Sequence, residues 1–157
     1  MEDFSALNPG ERALFEALSR HGVRFMLVGL SAAVLQGANT GTRDLDLWLE
    51  DTSDPRIADA VREAHGIWIS GTFGMRPPQI GGDSVGDRVD VVTHLHGLRS
   101  FADEYANAIE MDVDGLRLHV LPIERIIASK RAAARTKDIA ALPALEEALA
   151  AIQAKDA

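Results

Sequence analysis

The chain has no cysteine. That absence removes a disulfide scaffold, a thiolate nucleophile and a cysteine zinc site together. Aromatic residues are scarce at 5%, with Trp48, Trp68 and Tyr105 beside five phenylalanines, so Leu, Val, Ile and Ala must build the core. No apolar run approaches the ~20 residues needed to cross a bilayer. Met1–Arg20 carries Glu2, Asp3, Glu11 and Glu16, where a secretory leader would be basic and then apolar. The expectation is a cytoplasmic protein with no membrane partner. Positive charge is also in deficit: 16 Lys and Arg against 24 Asp and Glu leave a net charge of −8. A long duplex needs a dense basic surface, which this balance does not provide.

What is present suits one compact domain. The chain has 157 residues, 46% hydrophobic and 25% charged, and a chain of that size buries roughly 70% of its unfolded surface. The scarce bases are unevenly placed. Arg117, Arg125, Lys130, Arg131, Arg135 and Lys137 gather late, and no acid interrupts residues 125–137. One local basic stretch on an acidic protein suits a small anionic ligand such as a nucleotide phosphate.

Periodicity gives an α-β-α-β-α-β-β-α-β-β-α-α order. Residues 9–21 space Leu14, Phe15 and Leu18 as a helix does, and VRFMLVG (23–29) reads as a buried strand between glycines. SAAVLQG (31–37) predicts a helix capped by Ser31 and ended by Gly37. DLDLWLE (44–50) alternates acid and apolar residues, a strand with one special face. A helix over 55–64, a short strand at Trp68 and a strand RVDVVTHL (88–95) follow. Between the last two, residues 71–87 hold five glycines and two prolines and read as a long loop or ragged hairpin, which either admits an acceptor or is disordered surface. A helix near 100–105, a hairpin over 106–122 turning at Asp114-Gly115, and helices over 122–134 and 136–154 complete the chain. The expected class is α/β (α+β): a mixed β-sheet flanked by helices with a C-terminal helical segment. It divides into a catalytic core over about 9–95 and a hairpin with helices over about 96–157.

The chemistry concentrates in carboxylates. Asp44 and Asp46 leave the same face of their strand, roughly 6–7 Å apart, while Leu45, Leu47 and Leu49 face the core. Two such carboxylates repel each other unless a cation sits between them, and oxygen-only ligation suits Mg²⁺ (or Mn²⁺) with substrate phosphates completing the shell. Asp90 sits in the equivalent frame Val89-Asp90-Val91. If the two strands pair, it becomes the third metal carboxylate or a proton acceptor for an attacking hydroxyl. Upstream, Gly29-Leu30-Ser31 lies between strand and helix, where glycine lets a phosphate approach the backbone. His94 and His96 share a face without an evident third ligand and read as surface histidines.

These segments, VGLSAAVLQGANTGTRDLDLWLE (28–50) with RVDVVTHL (88–95), resemble the nucleotidyltransferase superfamily of the DNA polymerase beta type of fold. The tail LPIERIIASKRAAARTKDIAALPAL (121–145) resembles small bacterial members compared with toxins of abortive-infection toxin–antitoxin pairs. The resemblance implies that Asp44, Asp46 and Asp90 are the catalytic and metal-binding residues. It also implies that Gly29 and Ser31, helped by Arg43, Lys130 and Lys137, bind a nucleoside triphosphate. Asp138 matches the tail as well, as a helix cap or a partner for a nearby base. The implied activity is transfer of a nucleoside monophosphate to a hydroxyl of RNA (a tRNA end), protein or a small molecule, with a cognate antitoxin as partner. Two positions depart from the pattern: Leu30 replaces a second Gly or Ser, and Thr40 an Arg. Those departures point to the alternative, a non-catalytic binding module or antitoxin-like regulatory partner with the same fold.

Overall fold

The computed structural model describes residues 6–71, 77–82 and 85–156. Its first half runs α1 (Pro9–Arg20), β1 (Phe25–Val28), α2 (Gly29–Leu35), β2 (Leu45–Leu49), α3 (Pro55–Glu63) and β3 (Ile67–Ile69). The second half runs β4 (Gln79–Gly81), β5 (Val89–Val92), α4 (Phe101–Ala106), β6 (Ile109–Val113), β7 (Leu116–Val120), α5 (Ile123–Ala133) and α6 (Thr136–Asp156). The main sheet has the order β5-β2-β1-β7-β6, and β3-β4 form a separate two-stranded sheet. Strand β1 pairs antiparallel with β2 and parallel with β7, while β2 and β5 are parallel. The result is the expected mixed sheet flanked by helices, ending in a C-terminal helix.

Local chemistry explains most boundaries. Asn8 and Glu11 form a reciprocal capping box on α1: Asn8 Oδ1 accepts the Glu11 N–H at 2.7 Å, and Glu11 Oε1 accepts the Asn8 N–H at 2.9 Å. Strand β1, Phe-Met-Leu-Val, is buried at every position because sheet neighbours flank it and helices cover it. The β6–β7 turn falls at Asp114-Gly115, both with positive φ, as a tight hairpin requires. Trp48 is core, edge-on to Phe101 at 5.4 Å.

Two expectations change. Helix α2 begins at Gly29, and Ser31 lies inside its first turn rather than capping it; Val28 holds the cap position without a side-chain hydrogen bond. Part of the 71–87 segment is ordered as β4, packed beside β5; residues 72–76 and 83–84 of that segment lie outside the described residues. No described helix is long and apolar enough to cross a membrane.

Candidate functional site

The parallel pairing of β2 with β5 decides the site. Its register sets Asp46 directly opposite Asp90, so both carboxylates rise from the same face of adjacent strands. Asp44 lies one residue before β2 and is exposed, as is Asp90; Asp46 is half-buried. The charges crowd one another. Burial, the Asp90 and Asp44 charges together push the Asp46 carboxyl up to about 6, against an opposing pull from Lys130 and Lys137. Asp90 is raised as well, by burial and then by the charge and hydrogen bond of Asp44.

Gly29 makes this arrangement sterically feasible. It has φ +68°, and a Cβ built on it would lie 2.1 Å from Asp46 Oδ2. Any side chain here would displace the carboxylate. Ser31 completes the seat: its buried hydroxyl donates to the Val28 carbonyl at 3.1 Å and accepts from the Asp46 N–H at 3.3 Å. The turn expected to approach a ligand therefore also fixes the central acid. Leu30, one of the two departures, packs against the core.

The basic stretch divides into two groups. Arg125 is bound to Glu104, Arg131 to Glu146 and Arg135 to Asp138, all structural ion pairs. Lys130 and Lys137 are the two bases whose charges reach Asp46. Arg43 is exposed immediately before Asp44. His94 and His96 contact each other edge-to-face at 5.3 Å beyond the end of β5. Among the described residues, no three His, Cys, Asp or Glu side chains close into a metal cage.

Two features escaped the pattern reading. Arg88, the residue before β5, donates from Nε to Glu11 Oε2 at 2.9 Å and from its other guanidinium arm to the Ala6 carbonyl at 3.0 Å. Its own carbonyl accepts from Leu45 N–H at 2.6 Å. This latch ties α1 to the start of both carboxylate strands. The signal was Arg88 beside Asp90, but its partner Glu11 is 77 residues away. The second is a cavity of about 420 Å³ beside Asp90, lined by Pro77, Pro78, Gln79, Ile80 and Gly86.

The decisive comparison is with families. The model of a family described as "Nucleotidyl transferase of unknown function (DUF2204)" matches residues 10–155. The chain belongs to this family. Members are nucleotidyltransferases, and the fold agrees with that of solved ones. The crystal structure of ANT(2'')-Ia with adenylyl-2''-tobramycin is 14% identical, with a TM-score of 0.56, covering 93% of this chain and 96% of that one. The solution structure of the antibiotic-resistance factor ANT(2'')-Ia is 15% identical with TM-score 0.57, covering 92% and 89%. An antigenic nucleotidyltransferase-like protein from Paracoccidioides brasiliensis is 16% identical with TM-score 0.52, covering 95% and 90%. No curated protein sequence matches the chain.

Proposed function

We propose that this family member is a metal-dependent nucleotidyltransferase that moves a nucleoside monophosphate from a nucleoside triphosphate to an acceptor hydroxyl. The observation that carries this reading is the Asp46–Asp90 register with Asp44 beside it: three acids on one rim, two held above their ordinary protonation range. A divalent cation fits this donor set. The ligands are all oxygen, mutual repulsion favours a cation between them, and an incomplete protein shell leaves places for phosphate oxygens, as Mg²⁺ or Mn²⁺ prefers. Asp44, Asp46 and Asp90 would hold it, and it would supply charge neutralisation at the transferring phosphate.

The chain's own groups do the positioning. The Gly29-Leu30-Ser31 turn receives the triphosphate, the Ser31 hydroxyl fixes Asp46, and Arg43, Lys130 and Lys137 add positive charge around the phosphates. The acceptor oxygen attacks the α-phosphorus, its proton passes to the Asp90 carboxylate, and the bond to pyrophosphate breaks in line.

A small hydroxyl compound suits the cavity beside Asp90 better than a nucleic-acid end. None of its described lining residues is Lys or Arg, the bases that grip a nucleic-acid backbone. ANT(2'')-Ia was solved with an adenylylated small molecule, so ATP with a small polyol or amino sugar is the first pair to try. A toxin acting on RNA or protein, with a cognate antitoxin, is the reading for which label appearing in a macromolecule would speak.

Thermal unfolding with ATP, GTP, CTP or UTP, and Mg²⁺ or Mn²⁺, tests the site before any acceptor is known. Ligand at a hundred times its Kd adds about 2.7 kcal/mol, roughly 5–10 °C at this size. The shift requires metal and disappears in Asp44→Asn/Asp46→Asn. No shift with any nucleotide would instead favour the non-catalytic binding module.

A further inference from the structure

Asp138 is the most heavily partnered carboxylate near the site. It lies in the first turn of α6 with 1% exposure. Oδ2 accepts the Arg135 backbone N–H at 3.2 Å and Arg135 Nε at 2.7 Å. Those two contacts satisfy the start of the helix and would suffice for a capping residue. Oδ1 also accepts from Arg135 Nη2, at 3.4 Å, but it meets a second base as well: Lys130 Nζ lies 3.3 Å away, across the corner between α5 and α6. Ala134, in the left-handed conformation at φ 52°, turns that corner and brings α6 back against α5.

Only 19% of the Lys130 side chain is exposed, and its charge reaches Asp46. Helix α5 is itself fixed relative to the Gly29 turn. Gln36, just after α2, donates to the Leu121 carbonyl at 2.8 Å and accepts the Ile123 N–H at 3.0 Å. Lysine on a free four-carbon stem would lose conformational freedom on meeting a phosphate, and one already anchored loses less.

We propose that Asp138 is a positioning residue of the nucleotide site: its buried carboxylate holds the Lys130 ammonium within reach of Asp46, where it meets the phosphates of a bound nucleoside triphosphate. This rests on the nucleotidyltransferase reading above. Asp138 touches no substrate and acts through Lys130 alone.

The test is a double-mutant cycle on the full chain, reading nucleotide Kd with Mg²⁺ and, separately, the Tm without ligand. The probe is whichever of ATP, GTP, CTP and UTP shifts the wild type most. Lys130→Met and Asp138→Asn each weaken binding about tenfold, the size of one lost charge-assisted hydrogen bond. The double variant is no weaker than Lys130→Met, because the second change removes an anchor with nothing left to hold. Arg131→Ala, at an exposed guanidinium paired with Glu146, leaves Kd unchanged. Asp138→Asn that lowers Tm yet binds as wild type overturns the proposal, as do losses that multiply. If Asp138→Asn does not fold, Lys130→Met decides: binding equal to wild type overturns the proposal. A wild type that binds no nucleotide overturns the nucleotidyltransferase reading and this inference with it, whereas a binding wild type with an indifferent Lys130→Met overturns this inference alone.

Discussion

Two sets of carboxylates in this molecule are treated in opposite ways. Glu11, Glu104 and Asp138 are buried, and each is matched to its own base and to a backbone N–H. Asp44, Asp46 and Asp90 stand together on the rim of the sheet, and among the described residues none of them forms an ion pair. The pKa values follow. Hydrogen bonds from Arg125 hold Glu104 below the ordinary range against its burial. Burial alone would raise Asp138, but Arg135 and Lys130 hold it at about 2, while Asp46 is pushed up to about 6. A buried acid without a base is costly unless something external supplies the charge. The first set therefore supports the fold, and under the proposed function the second would receive a cation that arrives with substrate.

The largest effect expected from this contrast is on the second set. Asp44→Asn/Asp46→Asn lowers the transfer rate at least a hundredfold, since loss of metal-type charge stabilisation amounts to several kcal/mol. Initial rates with saturating nucleotide and metal measure it. Near-wild-type rates would make the rim acids ordinary surface groups and erase the distinction.

Next comes the first set. Glu11→Ala removes the reciprocal cap of α1 and strips Arg88 of its buried partner. Arg88 is itself 38% exposed and can rehydrate, so the loss is about 2–3 kcal/mol, toward the low end for a broken buried pair. Chemical denaturation gives the value directly. A cost below about 0.5 kcal/mol, the level of an exposed pair, would mean that the latch between α1 and the carboxylate strands holds nothing.

Removing a rim acid should do the reverse. A carboxyl raised from 3.8 to about 6 in the fold keeps its proton between those values while the unfolded chain has lost it. Its contribution to stability therefore falls as pH climbs through that window and stays low above it. At pH 7 without metal, Asp46→Asn gains about 2 kcal/mol, and its stability loses the decline between pH 4 and 6. Asp138 works with the opposite sign and at lower pH: its stabilisation is present above 3.8 and is lost as pH falls toward about 2. Melting across pH 2–8 separates the two. A destabilised Asp46→Asn at pH 7 would show that the fold needs that charge for itself.

How far these two sets could be told apart from sequence depends on the distance between partners. Strands β1 and β2 were legible because β1 is uniformly apolar and β2 alternates acid with apolar residues, whereas β4 lay hidden in a glycine-rich segment. The rim acids were legible for the same reason: Asp-x-Asp is a local pattern, and Asp90 repeats its apolar frame. Pairing is not local. Glu11 and Arg88 are 77 residues apart, and Gln36 reaches Leu121 across 85. The basic stretch over 125–137 looked uniform in sequence, yet three of its arginines are committed to acids in α4 and α6. Gly29 shows the limit most clearly. Its position between strand and helix suggested room for a phosphate, but gave no sign that the atom filling the space of its missing Cβ is Asp46 Oδ2, 17 residues later.

The smallest expected effect is the sharpest control, because α5 and α6 are joined twice by consecutive residues. Lys130 reaches Asp138, whose side chain has no exposure; Arg131 reaches Glu146, with the two side chains 61% and 49% exposed. If burial and hydrogen bonding separate the structural acids from the rest, the outer pair should be nearly silent. Water already solvates both groups, two long side chains must be immobilised to meet, and added salt screens what attraction remains. Glu146→Gln should change stability by no more than about 0.5 kcal/mol at low ionic strength and by nothing measurable in 1 M salt. Asp138→Asn should keep most of its cost in the same salt, since a carboxylate inside the protein is poorly screened. Denaturation midpoints of both variants at two salt concentrations make the comparison. If Glu146→Gln proved as costly as Asp138→Asn, and equally insensitive to salt, helix docking rather than burial of a charge would be what the inner pair contributes.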